Sequence, residues 1–346
     1  MTSEEYKKLN DYLNLIFLEL QKEDQFLLDN LSVITNLSID YVNILKKYDL
    51  SDNSIQNNMI WQDVYLLARD IIETIDKNYL EQYDKLIDNG ELEFFYENNG
   101  IDKFGYSNKL NKGIIDINRK FNYEDVATLV HEFIHYTNGI KENRTNNRYL
   151  LSEFFSIYFE EYSKQYLLQN GFSKVEINCS FRLLNTKKVA NSFNWYSLIL
   201  LTYDRYGNID ENSIQLINPK HTTISKELFD KMCKHALNVF ETINKKYEIE
   251  ILYEKNSELD DLGSYLAQSL KNYRYLLGTL LTYYAFEYLD IKDIVKLNNH
   301  INDWEYSMMP LKDVLKTIGV NIENKDFIKK LLSSLEIELK SKKKFR

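Results

Sequence analysis

Apolar residues recur at intervals of three and four along most of the chain. Between residues 3 and 22, Tyr6, Leu9, Leu13, Ile16, Phe17 and Leu20 line one side of a helix of 3.6-residue period. Comparable stripes near 26–48, 59–79, 122–138, 149–168, 186–204, 224–245, 261–289 and 324–339 each predict a helix. Turn pairs separate many of them: Asn99-Gly100, Asn138-Gly139, Asn170-Gly171 and Asn218-Pro219. Two runs depart from that period. Residues 91–96 (ELEFFY) and 112–117 (KGIIDI) predict short strands, with Asn98, Asn99, Gly100, Gly105 and Ser107 as loop between them. The pattern predicts a mainly α protein with a small β-sheet beside the helix at 122–138. Neither a fixed-period repeat nor a low-complexity linker divides residues 1–346, so they read as a single mostly helical unit of one or two lobes.

Composition narrows the class further. In 346 residues, 44 % are hydrophobic and 14 % aromatic, enough to fill a large core and to exclude disorder as the main state. Only 2 prolines and 10 glycines are present, too few for the many tight turns of a sandwich or barrel. Neither a GxGxxG run nor a phosphate-binding GKS or GKT loop occurs. The net charge of −9 speaks against nucleic acid as a partner. The one dense basic run, Lys340, Lys342, Lys343, Lys344 and Arg346, reads as a solvated end. No stretch of 18 apolar residues predicts a membrane span, and the polar start MTSEEYKKLN carries no leader pattern, so a cytoplasmic location is expected. Cys179 and Cys233 form no CxxC pair and are expected to be buried reduced thiols. Trp61, Trp195 and Trp304 are expected in or near the core. His221, His235 and His300 are isolated and read as structural or surface residues.

The predicted helix at 122–138 carries the chemistry. Asn122 is a good N-cap, Glu124 and Asp125 suit the first turn, and Asn138-Gly139 is a good stop. Within it lies His131-Glu132-Phe133-Ile134-His135, an HExxH motif. At i and i+4 the two imidazoles share a helix face and can reach one zinc ion at about 2.0–2.1 Å each. Glu132 is placed to take a proton from an attacking water and pass it to a leaving amine. A third ligand is expected from the next helix. Glu153 lies 18 residues after His135, past a polar loop, at the start of a helix that would return antiparallel to the first. Glu153, Ser156 and Glu160 share a face at i, i+3 and i+7, bounded by Phe154, Phe155, Ile157 and Phe159. Carboxylates in such surroundings are costly to bury without a cation. Glu160 is expected to orient a zinc histidine through its free ring N–H.

These residues resemble a known family, the thimet oligopeptidase and oligoendopeptidase F group of zinc metallopeptidases (gluzincins, HExxH followed by Glu). Residues 114–118 leading into 125–135 look like the family's strand, short loop and zinc helix. Residues 152–160 are similar to its E-x-x-S-x-x-x-E segment, and 273–278 to its late Y-x-Y-x-x-G helix. The likeness covers about residues 90–290, which would form a family-like catalytic core. The resemblance implies a helical metallopeptidase fold and one Zn2+ per chain on His131, His135 and Glu153. It also implies Glu132 as general base and a late tyrosine, Tyr273 or else Tyr275, donating to the oxyanion. It implies a peptide substrate and endopeptidase action on oligopeptides. The alternatives are a processing protease dedicated to one peptide or protein partner, and a non-catalytic zinc-binding interaction protein.

Three departures accompany the likeness. Ile134 stands where the family has glycine, at a position expected to face away from the metal. No histidine lies between His235 and His300, where many members carry one. Only 130 residues precede His131, which leads us to expect a more open cleft. If residues 114–117 form an edge strand, Ile115, Asp116 and Ile117 would pair with an extended substrate through backbone hydrogen bonds.

Overall fold

The computed structural model of the chain describes residues 18, 25–45, 47, 58–97, 103–107, 112–138, 147–181, 270–300 and 309–343, and elements are numbered over these. The helices predicted near 3–22, 186–204 and 224–245 lie outside them, as do His221, His235, Trp195, Trp304 and Cys233. The chain divides into two units: Met1–Lys47 with Lys187–Leu276, and Tyr48–Thr186 with Leu277–Arg346. Among the described residues no helix is long and apolar enough to cross a membrane.

In the first unit, α1 (Gln25–Asp29) and α2 (Leu31–Leu45) follow one another across Asn30. Leu27, Leu31, Ile34, Leu37, Tyr41, Ile44 and Leu45 are buried, the spacing the sequence pattern shows. Thr35 and Ser38 are buried with them because each hydroxyl donates to a carbonyl of its own helix, Leu31 at 2.6 Å and Thr35 at 2.8 Å. Helix α8 (Tyr273–Tyr288) begins in this unit, where the Tyr273 ring stacks on Phe26 at 6.3 Å between centroids.

The second unit is mainly helical with a small three-stranded sheet. The stripe predicted at 59–79 is two helices, α3 (Trp61–Ile75) and α4 (Lys77–Tyr83). They part at Asp76, whose extended backbone frees its carboxylate to accept from the Asn78 N–H at 2.6 Å. Strands β1 (Leu92–Phe95), β2 (Lys103–Ser107) and β3 (Lys112–Asn118) form a sheet in the order β1-β3-β2. The parallel β1 sets Leu92 opposite Ile115 and Phe95 opposite Asn118. The antiparallel β2 sets Lys103 opposite Asp116 and Ser107 opposite Lys112. Strand β2 lies in the segment expected to be loop. Its run of five residues contains a glycine, Gly105, which gives no side chain to an alternation pattern.

The sheet order also overturns the expected edge strand. Ile115 and Asp116 are paired on both sides, to β1 and to β2, so they have no free backbone edge to offer a substrate. Ile117 pairs with Phe94, and the side chains of Ile115 and Ile117 are fully buried. Ile115 and Asp116 lie in the central strand between β1 and β2, and the buried side chains of Ile115 and Ile117 are core packing.

From β3 the chain turns tightly into α5 (Tyr123–Thr137). Phe121 sits at φ 60°, in the left-handed region that bulky side chains rarely adopt. Asp125, fully buried, holds the turn. Its carboxylate accepts from the Lys120 N–H at 2.7 Å, the Phe121 N–H at 3.0 Å and Arg119 Nε at 2.8 Å. Arg119 also donates to the Met59 carbonyl, and its guanidinium lies over the Phe94 and Phe121 rings. Asp125 is thus a structural anchor and more than a favourable first-turn charge. Asn122 caps the helix, accepting from the Glu124 N–H at 2.8 Å.

Helix α5 is buried from Asp125 to Glu132 and on through Ile134, and α6 (Asn147–Gln169) packs along it. Ile134, at the position of the family's glycine, is fully buried core. Gly171 closes α6 at φ 82°, with Phe172 N donating to Leu167 O, a turn that suits glycine alone. Helix α7 (Lys174–Ser180), unforeseen in the sequence, packs Ile177 on Ala127 and Leu167. From Leu277 onward α8 lies against α6. A Cβ on Gly278 would meet Ile157 Cδ1 at 3.1 Å and the Phe154 backbone N at 3.4 Å, and Tyr158 stacks on Phe286 at 4.6 Å. Helices α9 (Ile291–His300), α10 (Leu311–Thr317) and α11 (Lys325–Lys343) complete the unit. The buried Lys164 of α6 is held by Glu161 and by Glu338 of α11, both at 2.7 Å. Trp61 is 40 % exposed, more open than expected, and rests on Phe94; Cys179 is a half-buried free thiol.

Candidate metal centre

The antiparallel pairing of α5 and α6 builds the site. His135, near the end of α5, meets Ser152 near the start of α6, while His131, one turn earlier, meets Glu160 further along α6. Glu153 falls between, facing both histidines. Three ligand atoms converge. His131 Nε2 and His135 Nε2 are 3.2 Å apart, and Glu153 Oε2 lies 3.8 Å from the first and 3.7 Å from the second. Ligand atoms of these residues all lie within 4.8 Å of one another.

The spacing can be tested against a zinc ion. Four ligands at about 2.0–2.1 Å in a tetrahedron stand about 3.3–3.4 Å apart along each edge. The three observed separations bracket that edge to within a few tenths of an ångström. The donor chemistry agrees. Glu160 Oε2 lies 3.0 Å from His131 Nδ1, so a carboxylate accepts from the outer ring N–H and leaves Nε2 with its lone pair pointing inward. Two imidazole nitrogens and a carboxylate oxygen then share a pocket in which all the side chains are at least 85 % buried. Such a set repels itself unless a cation, a proton or a metal, sits among it. Among the described residues the donor set is two histidines and one carboxylate, a combination that suits a zinc ion.

The protonation of His131 shows the same pull. Burial by itself lowers its pKa, but the hydrogen bond to Glu160 and the charges of Glu132, Glu160 and Glu153 outweigh that and push it up to about 9. Glu132 is buried on α5 beside His131 and belongs to this negative environment.

The remaining candidates are placed as follows. Tyr273 and Tyr275 open α8 in the first unit. Tyr273 is 2 % exposed; Tyr275 is half-buried, with the Arg274 guanidinium 5.2 Å from its ring centroid. His300 is exposed at the end of α9. Ser152 is a participant that no motif or spacing in the sequence marks. It is 3 % exposed, and its Oγ lies 2.8 Å from His135 Nδ1. Its adjacency to Glu153 is not such a mark: neighbours on a helix diverge by about 100°, so only the angle between the two helices makes both face the histidines.

Comparison with known proteins adds the fold. No family profile and no curated protein matches the chain. Among solved structures, a Chlamydophila abortus protein described as a peptidase is similar at a TM-score of 0.51 and 16 % identity, over 96 % of this chain and 55 % of that one. A Bacillus anthracis str. Ames protein described as an oligoendopeptidase F is similar at a TM-score of 0.50 and 12 % identity, over 95 % of this chain and 56 % of that one. The chain spans about half the length of these structures and shares their fold over that span.

Proposed function

We propose that this chain is a zinc-dependent peptidase, an endopeptidase acting on oligopeptides, with Glu132 as its general base. The observation that carries the reading is the convergence of His131 Nε2, His135 Nε2 and Glu153 Oε2 beside Glu132. A peptidase-like fold over nearly the whole chain supports it.

His131, His135 and Glu153 would hold the ion. Bound there, zinc supplies Lewis-acid polarisation of a carbonyl and acidifies water to a pKa of about 7. Glu132 accepts the proton of the attacking water and delivers it to the departing amine, so one carboxylate serves as base and then as acid. Glu160 holds His131 by its Nδ1–H and keeps the ring's other nitrogen turned inward. Burial of the ligands excludes competing water and strengthens each of these interactions. Tyr273 or Tyr275 would donate to the oxyanion. Tyr275 is the more accessible of the two, and the Tyr→Phe variants of both rank them.

The test is a mixed peptide library digested by the purified chain and by its Glu132→Gln variant, with products read by mass spectrometry. The reading expects internal cuts by the wild type and a loss of about 10²–10⁴ in rate in the variant. Cuts confined to very few members favour a dedicated processing protease. Equal cutting by both proteins refutes the role of Glu132, and no cutting by either with zinc bound at one per chain refutes the broad oligopeptidase and leaves a partner-specific protease or a non-catalytic zinc fold.

A further inference from the structure

We infer that Ser152 is the positioning residue for His135, the counterpart on this ligand of what Glu160 is for His131. The inference rests on the zinc-site reading above.

The geometry is specific. His135 turns Nε2 toward His131 and Glu153 and Nδ1 toward Ser152, whose Oγ is 2.8 Å away. An imidazole that binds a cation through Nε2 carries its proton on Nδ1, and this N–H must donate. Ser152 Oγ accepts it. The hydroxyl is buried, so bulk water does not replace it when it is lost. Ser152 also directly precedes Glu153 on α6. One rigid helical turn therefore presents a ligand and the support of a second ligand, and any rotation of α6 moves both together.

The two histidines are supported unequally. His131 is backed by a carboxylate and His135 by a neutral hydroxyl. A carboxylate partner makes an imidazole more electron-rich than a hydroxyl does, so His131 is the stronger donor of the pair and His135 depends on Ser152 mainly for orientation. Loss of the hydroxyl leaves a buried Nδ1–H without an acceptor and frees the ring to rotate away from Glu153.

The experiment compares the wild type with Ser152→Ala and Ser152→Thr. Zinc affinity is measured by competition with a chromophoric chelator, and site geometry by the visible absorption of the Co2+-loaded proteins. Melting of the metal-free proteins serves as a folding control. The expected result is a zinc affinity about ten-fold to a hundred-fold weaker in Ser152→Ala, with an altered Co2+ spectrum and little change in metal-free melting. Ser152→Thr, which keeps the hydroxyl, is expected to restore both affinity and spectrum. Wild-type affinity and spectrum in Ser152→Ala would overturn the inference while leaving the zinc site intact. Absence of stoichiometric zinc from the wild type would overturn the inference and the zinc reading together. A loss shared equally by the Ala and Thr variants would assign Ser152 to packing and overturn it too.

Discussion

Glu160 Oε2 and His131 Nδ1 lie 3.0 Å apart, a partly buried carboxylate gripping the outer nitrogen of an imidazole whose inner nitrogen faces His135 and Glu153. The contact joins α5 to α6 and ties the orientation of the ring to the register of the helix pair. Glu160→Ala is expected to weaken zinc binding by about ten-fold to a hundred-fold, as the loss of a carboxylate behind a metal-binding histidine does. Chelator competition measures it, and an unchanged affinity would remove Glu160 from the site's support.

Zinc uptake is expected to depend on pH with a defined sign. Without metal, His131 keeps its proton up to about pH 9, and the ion must displace it. Apparent affinity should rise about ten-fold per pH unit through neutral pH and level off near 9. The same raised pKa stabilises the metal-free fold fully below the ordinary histidine value of about 6.5. That contribution is lost as pH rises through about 9. Calorimetry in buffers of differing ionisation enthalpy counts the proton released. An affinity flat from pH 6 to 9 would show that His131 is neutral in the metal-free site.

Gly278 sets the approach of α8 to α6 beside Glu153. Its missing Cβ would stand 3.1 Å from Ile157 Cδ1 and 3.4 Å from the Phe154 backbone. Alanine asks only the tip of Ile157 to give way and gains helix propensity, so Gly278→Ala should be close to neutral. Gly278→Leu cannot be housed against the Phe154 backbone and is expected to cost about 1–3 kcal/mol through overpacking. Urea unfolding of the two variants checks both expectations, and a Leu variant as stable as the wild type would show that α8 can shift.

Asp125 and Arg119 form a buried pair at 2.8 Å in the turn that launches α5. Asp125→Ala strips three donors of their acceptor and leaves a guanidinium buried without its countercharge, a loss of about 3–5 kcal/mol. Arg119→Met combined with Asp125→Leu should cost less than Asp125→Ala alone if the charge is the larger part, and more if the two capped N–H groups are. Chemical denaturation of the three proteins separates these outcomes.

Local pattern was enough for part of this protein. The mainly α class follows from apolar stripes of helical period, and the bounds expected for α5, 122–138, differ from Tyr123–Thr137 by one residue because cap and stop chemistry are written into Asn122 and Asn138. The i, i+4 spacing of His131 and His135 dictates a shared face in any α-helix. The shorter helices α7, α9 and α10 escaped, having few turns in which to display a period, and β2 escaped because Gly105 and Ser107 read as turn residues although Phe104 and Tyr106 alternate with them.

Other features required the assembled chain. Whether β3 is an edge or a centre depends on which segments pair with it, and β2, brought in from a predicted loop, made Ile115 and Asp116 interior. Asp125 is an anchor because Arg119 and two backbone N–H groups arrive around it. The sequence by itself determined the helix class, the histidine pair and the glutamate between them, all set by periodicity along the chain. Only the tertiary structure decided that α6 returns at the angle that turns Glu153, Glu160 and Ser152 together onto those histidines. That angle is a property of packing between α5 and α6, and no spacing along the chain encodes it.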